Sequence, residues 1–308
     1  MLCGKNKLGS ACELLTPKIR SAVFSISELE REHIQEIRLR LGRKLTANLF
    51  GKEYFVTCDG KLQNTCENAV NVTFEDIDTA YKRAFRNSLH SYHMEISNGY
   101  ITIDGGNRVG FCGTAVLDSD YNSVDSVKHI SSVNIRIARE IIGAGEDIYR
   151  KAFSDGPASL LIGGPPACGK TTVLRDLCRI LGGKYRLSLI DERNELSASK
   201  DGVPQNNVGE MTDIFNCYDK YDGITIAVKV MSPTILVCDE IGAKGDLSAL
   251  EYAVNSGVKL VATCHAGSFD EMKKRPAISK LMKEKVFDYA GILGTGSVCG
   301  QLVSFYKL

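Results

Sequence analysis

A chain of 308 residues has room for about two domains of ~100–200 residues each. Its 44% hydrophobic fraction supplies real cores and excludes a disordered polymer. With 38 Lys plus Arg against 37 Asp plus Glu, the formal charge is +1, so nothing favours a nucleic-acid polyanion as the main partner. No run approaches the ~18 apolar residues of a membrane span. The opening MLCGKNKLGSACELL lacks the apolar stretch of a secretion signal. Eleven cysteines without a C-x-x-C spacing fit reduced thiols in a cytosol better than disulfides or a metal site.

Residues 1–33 carry a helical tendency through Cys12, Leu14, Leu15, Ile19 and Val23. From Glu36 the period becomes two, with Ile37, Leu39 and Leu41 alternating with Glu36, Arg38 and Arg40. Turn signals at Gly42-Arg43, Gly51-Lys52 and Asp59-Gly60 separate apolar runs at 45–50 and 54–58, which reads as an antiparallel meander. Thr73 and Asp76 form a helix-start pattern. Ile77, Ala80, Tyr81, Ala84 and Phe85 then follow at i, i+3, i+4, i+7 and i+8, an amphipathic helix. Gly105-Gly106-Asn107 marks a hairpin turn between two strands, with Arg108 expected at the surface, and VNIRI (133–137) is another alternating strand. These elements predict a mixed α+β domain over 1–142. A glycine-marked boundary near 142–145 and a linker helix to Phe153 precede the second domain, 143–308.

The second half changes style. Ser159-Leu160-Leu161-Ile162 is a short apolar strand, and GGPPACGKTT follows. Gly164, Gly169, Lys170 and Thr171 fill the G-x-x-x-x-G-K-[ST] spacing of a phosphate-binding loop. Such glycines turn backbone N–H groups toward a β-phosphate, and the helix that starts there points its positive end at the anion. The expected nucleotide contacts are Gly164, Pro165, Pro166, Ala167, Cys168, Gly169, Lys170, Thr171 and Thr172. Lys170 reaches the β- and γ-phosphates, and the Thr171 hydroxyl is a ligand for Mg²⁺. A thiol at a helix N-terminus beside Lys170 predicts a reactive Cys168. Helix 170–181 ends at Gly182-Gly183, and a strand at 185–190 stops at Asp191-Glu192-Arg193. A Gly/Pro/Asn-rich loop over 201–209 precedes an expected helical stretch at 210–230.

TILVC (234–238) is a third strand, ending at Asp239-Glu240. A carboxylate at a strand end beside a phosphate loop can hold Mg²⁺ through its water shell, a role that falls to Asp239. Glu240 would orient or deprotonate the attacking water. Asp191-Glu192 is a rival pair, and Glu192 and Arg193 are second-tier site residues. Helix 246–255 leads to strand 258–263, which ends at Cys264-His265. His265 occupies the usual place of a polar sensor of the γ-phosphate, although a lone histidine is often structural. Cys238 and Cys264 lie inside apolar runs and read as small buried hydrophobes. A last strand at 301–306 closes the chain. Alternating strands and helices predict a RecA/AAA-like P-loop NTPase domain, α/β with a mainly parallel sheet and ligands at the strand C-terminal ends.

Taken together, GPPACGKTT, IDERNE, GVPQNNVGEMTDI, MSPTILVCDEIG, SGVKLVATCHAGS, GYITIDGGNRVGFCG and SVNIRIARE resemble the stage III sporulation protein AA family. That family is similar to the secretion-type ATPases of type II and type IV systems, and the resemblance runs from about Glu36 onward. It implies an ATP- and Mg²⁺-dependent ATPase of the mother-cell cytoplasm, beneath a membrane-embedded channel toward the forespore. It also implies a homo-oligomeric ring, a hexamer in secretion-type relatives, whose amino-terminal domain folds onto the nucleotide. Alanine stands at 167 where the family usually has glycine. Met211, Lys229 and Ala243 stand where arginines are usual, and Thr234 where an aspartate is. The missing positive charge would then come from Arg193 or from Arg136 in the alternating strand, with Arg139 just past it. The alternatives are a RecA-like nucleic-acid motor, which neutral charge disfavours, and a nucleotide-sensing scaffold that barely hydrolyses.

Overall fold

Alternating apolar residues build the first sheet. In the computed structural model, which describes residues 7–85, 100–117, 124–242 and 245–308, β1 (Ile34–Arg40) turns Ile37 and Leu39 inward. It pairs antiparallel with β2 (Thr46–Leu49) on one side and β7 (Val124–Arg136) on the other, with Ile37 opposite Ala47 and Ile135. A register irregularity between Ile34 and Glu36 lets Ile34 face inward as well. With β3 (Lys52–Val56), β4 (Leu62–Gln63), β5 (Tyr100–Thr102) and β6 (Arg108–Leu117), the order is β4-β3-β2-β1-β7-β6-β5, every pairing antiparallel. The VNIRI segment is thus the end of a longer strand.

Helices cover the inner face of this sheet. The expected helical tendency of the first residues resolves into Lys7–Cys12, Pro17–Ser25 and Glu28–Arg31. The break falls where Pro17 forces Thr16 into an extended conformation and restarts the helix. Helix Phe74–Ala84 carries a complete capping box between Thr73 and Asp76, and buries Ile77, Ala80 and Ala84. Gly105 and Gly106, at φ +81 and +76, make the turn between β5 and β6. Asn107 beside them is fully buried. Its amide donates to the carbonyls of Lys7 and Asp104, and its oxygen accepts the Ala138 N–H.

The centre of the second sheet is built from strands buried along nearly their whole length: β8 (Leu160–Gly164), β9 (Leu187–Asp191), β11 (Ile235–Cys238) and β12 (Lys259–His265). Strands buried on both faces need no alternation, so these read as solid hydrophobic runs. With β10 (Thr212–Asn216), β13 (Tyr289–Leu293) and β14 (Leu302–Lys307), the order is β10-β9-β11-β12-β8-β13-β14. All neighbours are parallel except β13 and β14. By contacts the chain divides into Met1–Arg139 and Glu140–Leu308.

One expectation is corrected. Residues 210–230 are not one helical stretch: TDIFN forms the edge strand β10, and a helix starts only at Lys220, capped by Asp219. An edge strand buries little, here mainly Phe215, so its apolar signal is weak. Strand β13 and helices Phe269–Lys274 and Pro276–Lys283 add to the elements expected from sequence.

Candidate functional site

Parallel register brings the chemistry to one edge. Gly164, the last residue of β8, lies opposite His265 of β12, while Cys238 of β11 pairs with Ala262 and Ile190. The phosphate-type loop, Asp239, Glu240, His265 and Arg193 therefore leave the sheet at adjacent strand ends.

Two glycines of the loop are sterically required. A Cβ on Gly164 would sit 2.2 Å from the Cys168 sulfur. Gly169 has φ +90 and would meet the Gly300 backbone at 3.1 Å. Ala167 adopts φ +59, a left-handed conformation that suits the glycine usual there. Pro165 and Thr172 are half-buried, Pro166 is exposed, and helix Lys170–Leu181 starts directly after Gly169. Cys168 contradicts the expectation of a reactive thiol. Its side chain is 1% exposed and packs into the core, so only its backbone can face the loop's concavity. The exposed sulfur near the loop is Cys299, which donates to the Ala167 carbonyl at 3.5 Å. With the Gly300 N–H bonded to the Cys168 carbonyl at 2.9 Å, the segment after β13 braces the loop.

Around the loop the side chains form a continuous chain. The Lys170 ammonium donates to the carbonyls of Gly164 and Pro165 at 2.9 Å each and lies 3.2 Å from His265 Nδ1. His265 Nε2 is 2.9 Å from one Glu240 oxygen, and Arg193 Nη1 is 3.0 Å from the other. Thr171 Oγ1 and Asp239 Oδ2 converge at 3.4 Å. This pair of hard oxygen donors suits Mg²⁺, which binds few protein ligands and keeps its waters. Burial pushes the Asp239 carboxyl above the usual carboxylate range; the charges of Glu240 and Glu195 add to this, and hydrogen bonds from Thr263 and the Glu240 N–H oppose it. A cation at the pair would offset that penalty.

Three participants were not legible in the sequence. Thr263, on β12, donates to Asp239 and accepts the Glu240 N–H at 2.9 Å, so one hydroxyl orients both acids. Lys220 is largely buried and donates to the Glu240 carbonyl at 2.9 Å. Arg175 donates to the carbonyls of Glu195 and Leu196 at 2.7 and 3.2 Å, tying helix Lys170–Leu181 to the loop after β9. Only the pairing of β11 with β12 brings Thr263 beside Asp239, and no local motif announces it.

The rival acid pair separates. Asp191 is 2% exposed and accepts the N–H groups of Glu195, Leu196 and Ser197 and the Ser197 hydroxyl. It is the anchor of a loop. Glu192 pairs with Lys220 at 3.4 Å. Arg136 lies on the open face of the first sheet, its Nε 3.2 Å from Glu36. Arg139 donates to the carbonyls of Glu32 and Ile34, and Arg108 stacks on Tyr100 at 4.8 Å. Met211 leads into β10 and Lys229 lies near the end of helix Lys220–Val230, whereas Ala243 lies outside the described residues. Burial pushes the Cys238 and Cys264 thiols up to about 12, as small core residues. Among the described residues no helix is long and apolar enough to cross a membrane.

The family model for sporulation stage III, protein AA matches residues 5–308. The chain is 31% identical over 287 residues to stage III sporulation protein AA of Bacillus subtilis (strain 168), covering 91% of this chain and 89% of that protein. It is 27% identical over 284 residues to protein SEEDLING PLASTID DEVELOPMENT 1 of Arabidopsis thaliana, covering 90% of this chain and 36% of that one. Among solved structures it is similar to the ATPase DotB of Legionella pneumophila, with TM-score 0.54 and 13% identity over 92% of this chain and 78% of that one. The pilus retraction motor PilT with bound ADP gives TM-score 0.55 and 11% identity over 87% and 76% of the two chains. At these identities the likeness to the solved structures is one of fold, the P-loop fold of secretion ATPases.

Proposed function

This chain belongs to the sporulation stage III protein AA family, and on that premise we propose that it is a Mg²⁺-dependent ATPase that hydrolyses ATP to ADP and phosphate. The observation that carries the reading is the convergence of Lys170, Thr171, Asp239 and Glu240 at neighbouring strand ends, linked through Thr263 and His265. In this reading the backbone of 164–169 cradles the β-phosphate, and Lys170 neutralises the β- and γ-phosphates. Thr171 and Asp239 hold Mg²⁺, which supplies charge neutralisation at the phosphates. Glu240 aligns the attacking water, His265 senses the γ-phosphate through its contact with Glu240, and Arg193 and Arg136 are the cations that can supply positive charge during turnover.

The cellular part of the proposal follows the family. The chain would act in the mother-cell cytoplasm, at the inner face of the membrane, as a ring-forming oligomer. It would drive assembly of, or transport through, membrane-embedded channel proteins, with no nucleic acid involved. A second reading, a nucleotide-responsive scaffold with little hydrolysis, is favoured by one observation: both Glu240 carboxylate oxygens are already paired, to His265 and to Arg193.

Steady-state phosphate release with and without DNA, alongside measured ATP affinity, separates these readings. The expected outcome is DNA-independent turnover that Glu240→Gln lowers by ~10²–10⁴-fold with ATP affinity retained. Arg136→Ala and Arg193→Ala at matched ATP occupancy report which cation matters. Tight ATP binding without measurable phosphate release would leave the scaffold standing. Turnover that depends on DNA would transfer the chain to the nucleic-acid motors.

A further inference from the structure

Glu240 has φ +42, a left-handed backbone that a β-carbon disfavours. Non-glycine residues hold such conformations only where their surroundings over-determine them, and such sites concentrate where function needs a fixed side chain. The clamps on this residue can be named. Its N–H is taken by the Thr263 hydroxyl at 2.9 Å and by the Asp239 carboxylate at 2.9 Å. Its carbonyl receives the Lys220 ammonium at 2.9 Å.

Lys220 is unusual in its own right. It opens helix Lys220–Val230, after the Asp219 cap, and its side chain is 8% exposed. Lysines are almost never so buried unless paired. Besides the Glu240 carbonyl, its Nζ lies 3.4 Å from Glu192 and 3.9 Å from Asp246. Asp246 in turn accepts the Gly242 N–H at 3.0 Å. One ammonium thus fastens the chain leaving β11 twice: directly at the Glu240 carbonyl, and through Asp246 at Gly242. Because Nζ meets the Glu240 carbonyl while the Glu240 carboxylate is paired to His265 and Arg193, Lys220 sets the backbone from which the carboxylate is aimed.

We propose that Lys220 is a positioning residue for hydrolysis, holding Glu240 in its left-handed conformation so that the carboxylate aligns the attacking water. This rests on the reading of Glu240 as the water-orienting acid. A misplacement of about 1 Å at such a group costs up to ~10²-fold in rate, while the loop that binds the phosphates is untouched.

The test measures kcat and, separately, ADP and ATP affinity for full-length Lys220→Met, Glu240→Gln and the double variant. The expected result for Lys220→Met is a fall in kcat of about 10–100-fold with nucleotide affinity within about threefold of the parent. In the Glu240→Gln background, Lys220→Met should lower turnover no further, a non-additivity that general destabilisation does not produce. If Lys220→Met does not fold, Asp246→Asn loosens the same clamp while leaving Lys220 beside Glu192, and the same measurements and outcomes apply. Parental kcat in the clamp variant, a parallel loss of nucleotide affinity, or an additive loss in the double variant would overturn the proposal and leave the role of Glu240 intact. Glu240→Gln with unimpaired turnover would reject the reading of Glu240, and the positioning role with it.

Discussion

The two units treat charge in opposite ways. In the first, charged residues alternate along the antiparallel strands and stay on the open face. There Glu36 meets Arg38 at 2.6 Å and Arg136 at 3.2 Å, and Arg40 meets Glu53 at 3.2 Å. Such partly exposed pairs contribute about 0–1 kcal/mol each and are easily rearranged. In the second, the central parallel strands are buried along most of their length, and Lys170, Asp191, Lys220 and Asp246 are buried near the C-terminal edge of the sheet. Ala167 and Glu240 at the same edge carry left-handed backbones. Left-handed residues occur elsewhere too, Phe50 and His129 in the first unit among them, so it is their coincidence with desolvated charge that sets this edge apart.

That contrast is sharpest at Lys170. Its substitution by alanine removes a buried cation bonded to the loop carbonyls, and with it the charge-assisted bonds to phosphate that the proposed function assigns to it. ATP affinity should fall by roughly 10²–10³-fold, about 3–4 kcal/mol, by isothermal titration. A loss below tenfold would mean that the buried lysine serves the fold, as the charges of the first unit do.

Asp76 is the counter-case in the first unit, a buried carboxylate whose partners are all structural. It accepts from Thr16, from Lys18 and from the Thr73 backbone and hydroxyl. Asp76→Ala should cost about 2–4 kcal/mol in urea unfolding, through the lost cap and the stranded partners, with ATP affinity unchanged. Burial pushes this carboxyl upward, but the bonds from Thr16, Thr73 and Lys18 outweigh it and hold it below its ordinary 3.8. A depressed carboxylate contributes stability above the unfolded value and loses it as pH falls through the lower folded value. The stability gap between the parent and Asp76→Asn should therefore be full above pH ~5 and narrow in acid below about 3.8. A gap that persists unchanged at low pH would show that the charge contributes nothing.

The smallest of the three effects is expected at Ala167. Relieving a left-handed alanine by Ala167→Gly is worth at most ~1–2 kcal/mol, so ATP should bind up to ~5–30-fold tighter. Unchanged affinity would show that the strain is carried equally by the free and bound loop.

Much of this could be read from local sequence. The loop spacing from Gly164 to Thr171, the solid apolar strands that end in Asp239-Glu240 and His265, the Thr73–Asp76 cap and the glycine turn at 105–106 all follow from short-range physics. Helix Phe269–Lys274 went unread although Ser268 accepts the Glu271 N–H, because a six-residue helix carries too few turns for a periodic signal. The edge strand TDIFN was not legible either, because a strand that buries little beyond one phenylalanine carries almost no periodic signal. Strand β13 was equally silent, its YAGIL run broken by Gly291, where a Cβ would meet Leu302 at 2.8 Å.

What the sequence alone determined is which residue types are available for phosphate chemistry and on which strand ends they fall, because motif spacing and burial patterns are local. Tertiary structure alone decided who holds whom. Thr263 joins Asp239 to Glu240 only through the pairing of β12 with β11, and Lys220 reaches the Glu240 carbonyl across 20 residues of chain. Cys168 turns into the core because Gly164 leaves room for its sulfur, and Cys299 arrives beside the loop from 132 residues away. Register and packing are collective properties of the folded sheet, so no window of sequence contains them.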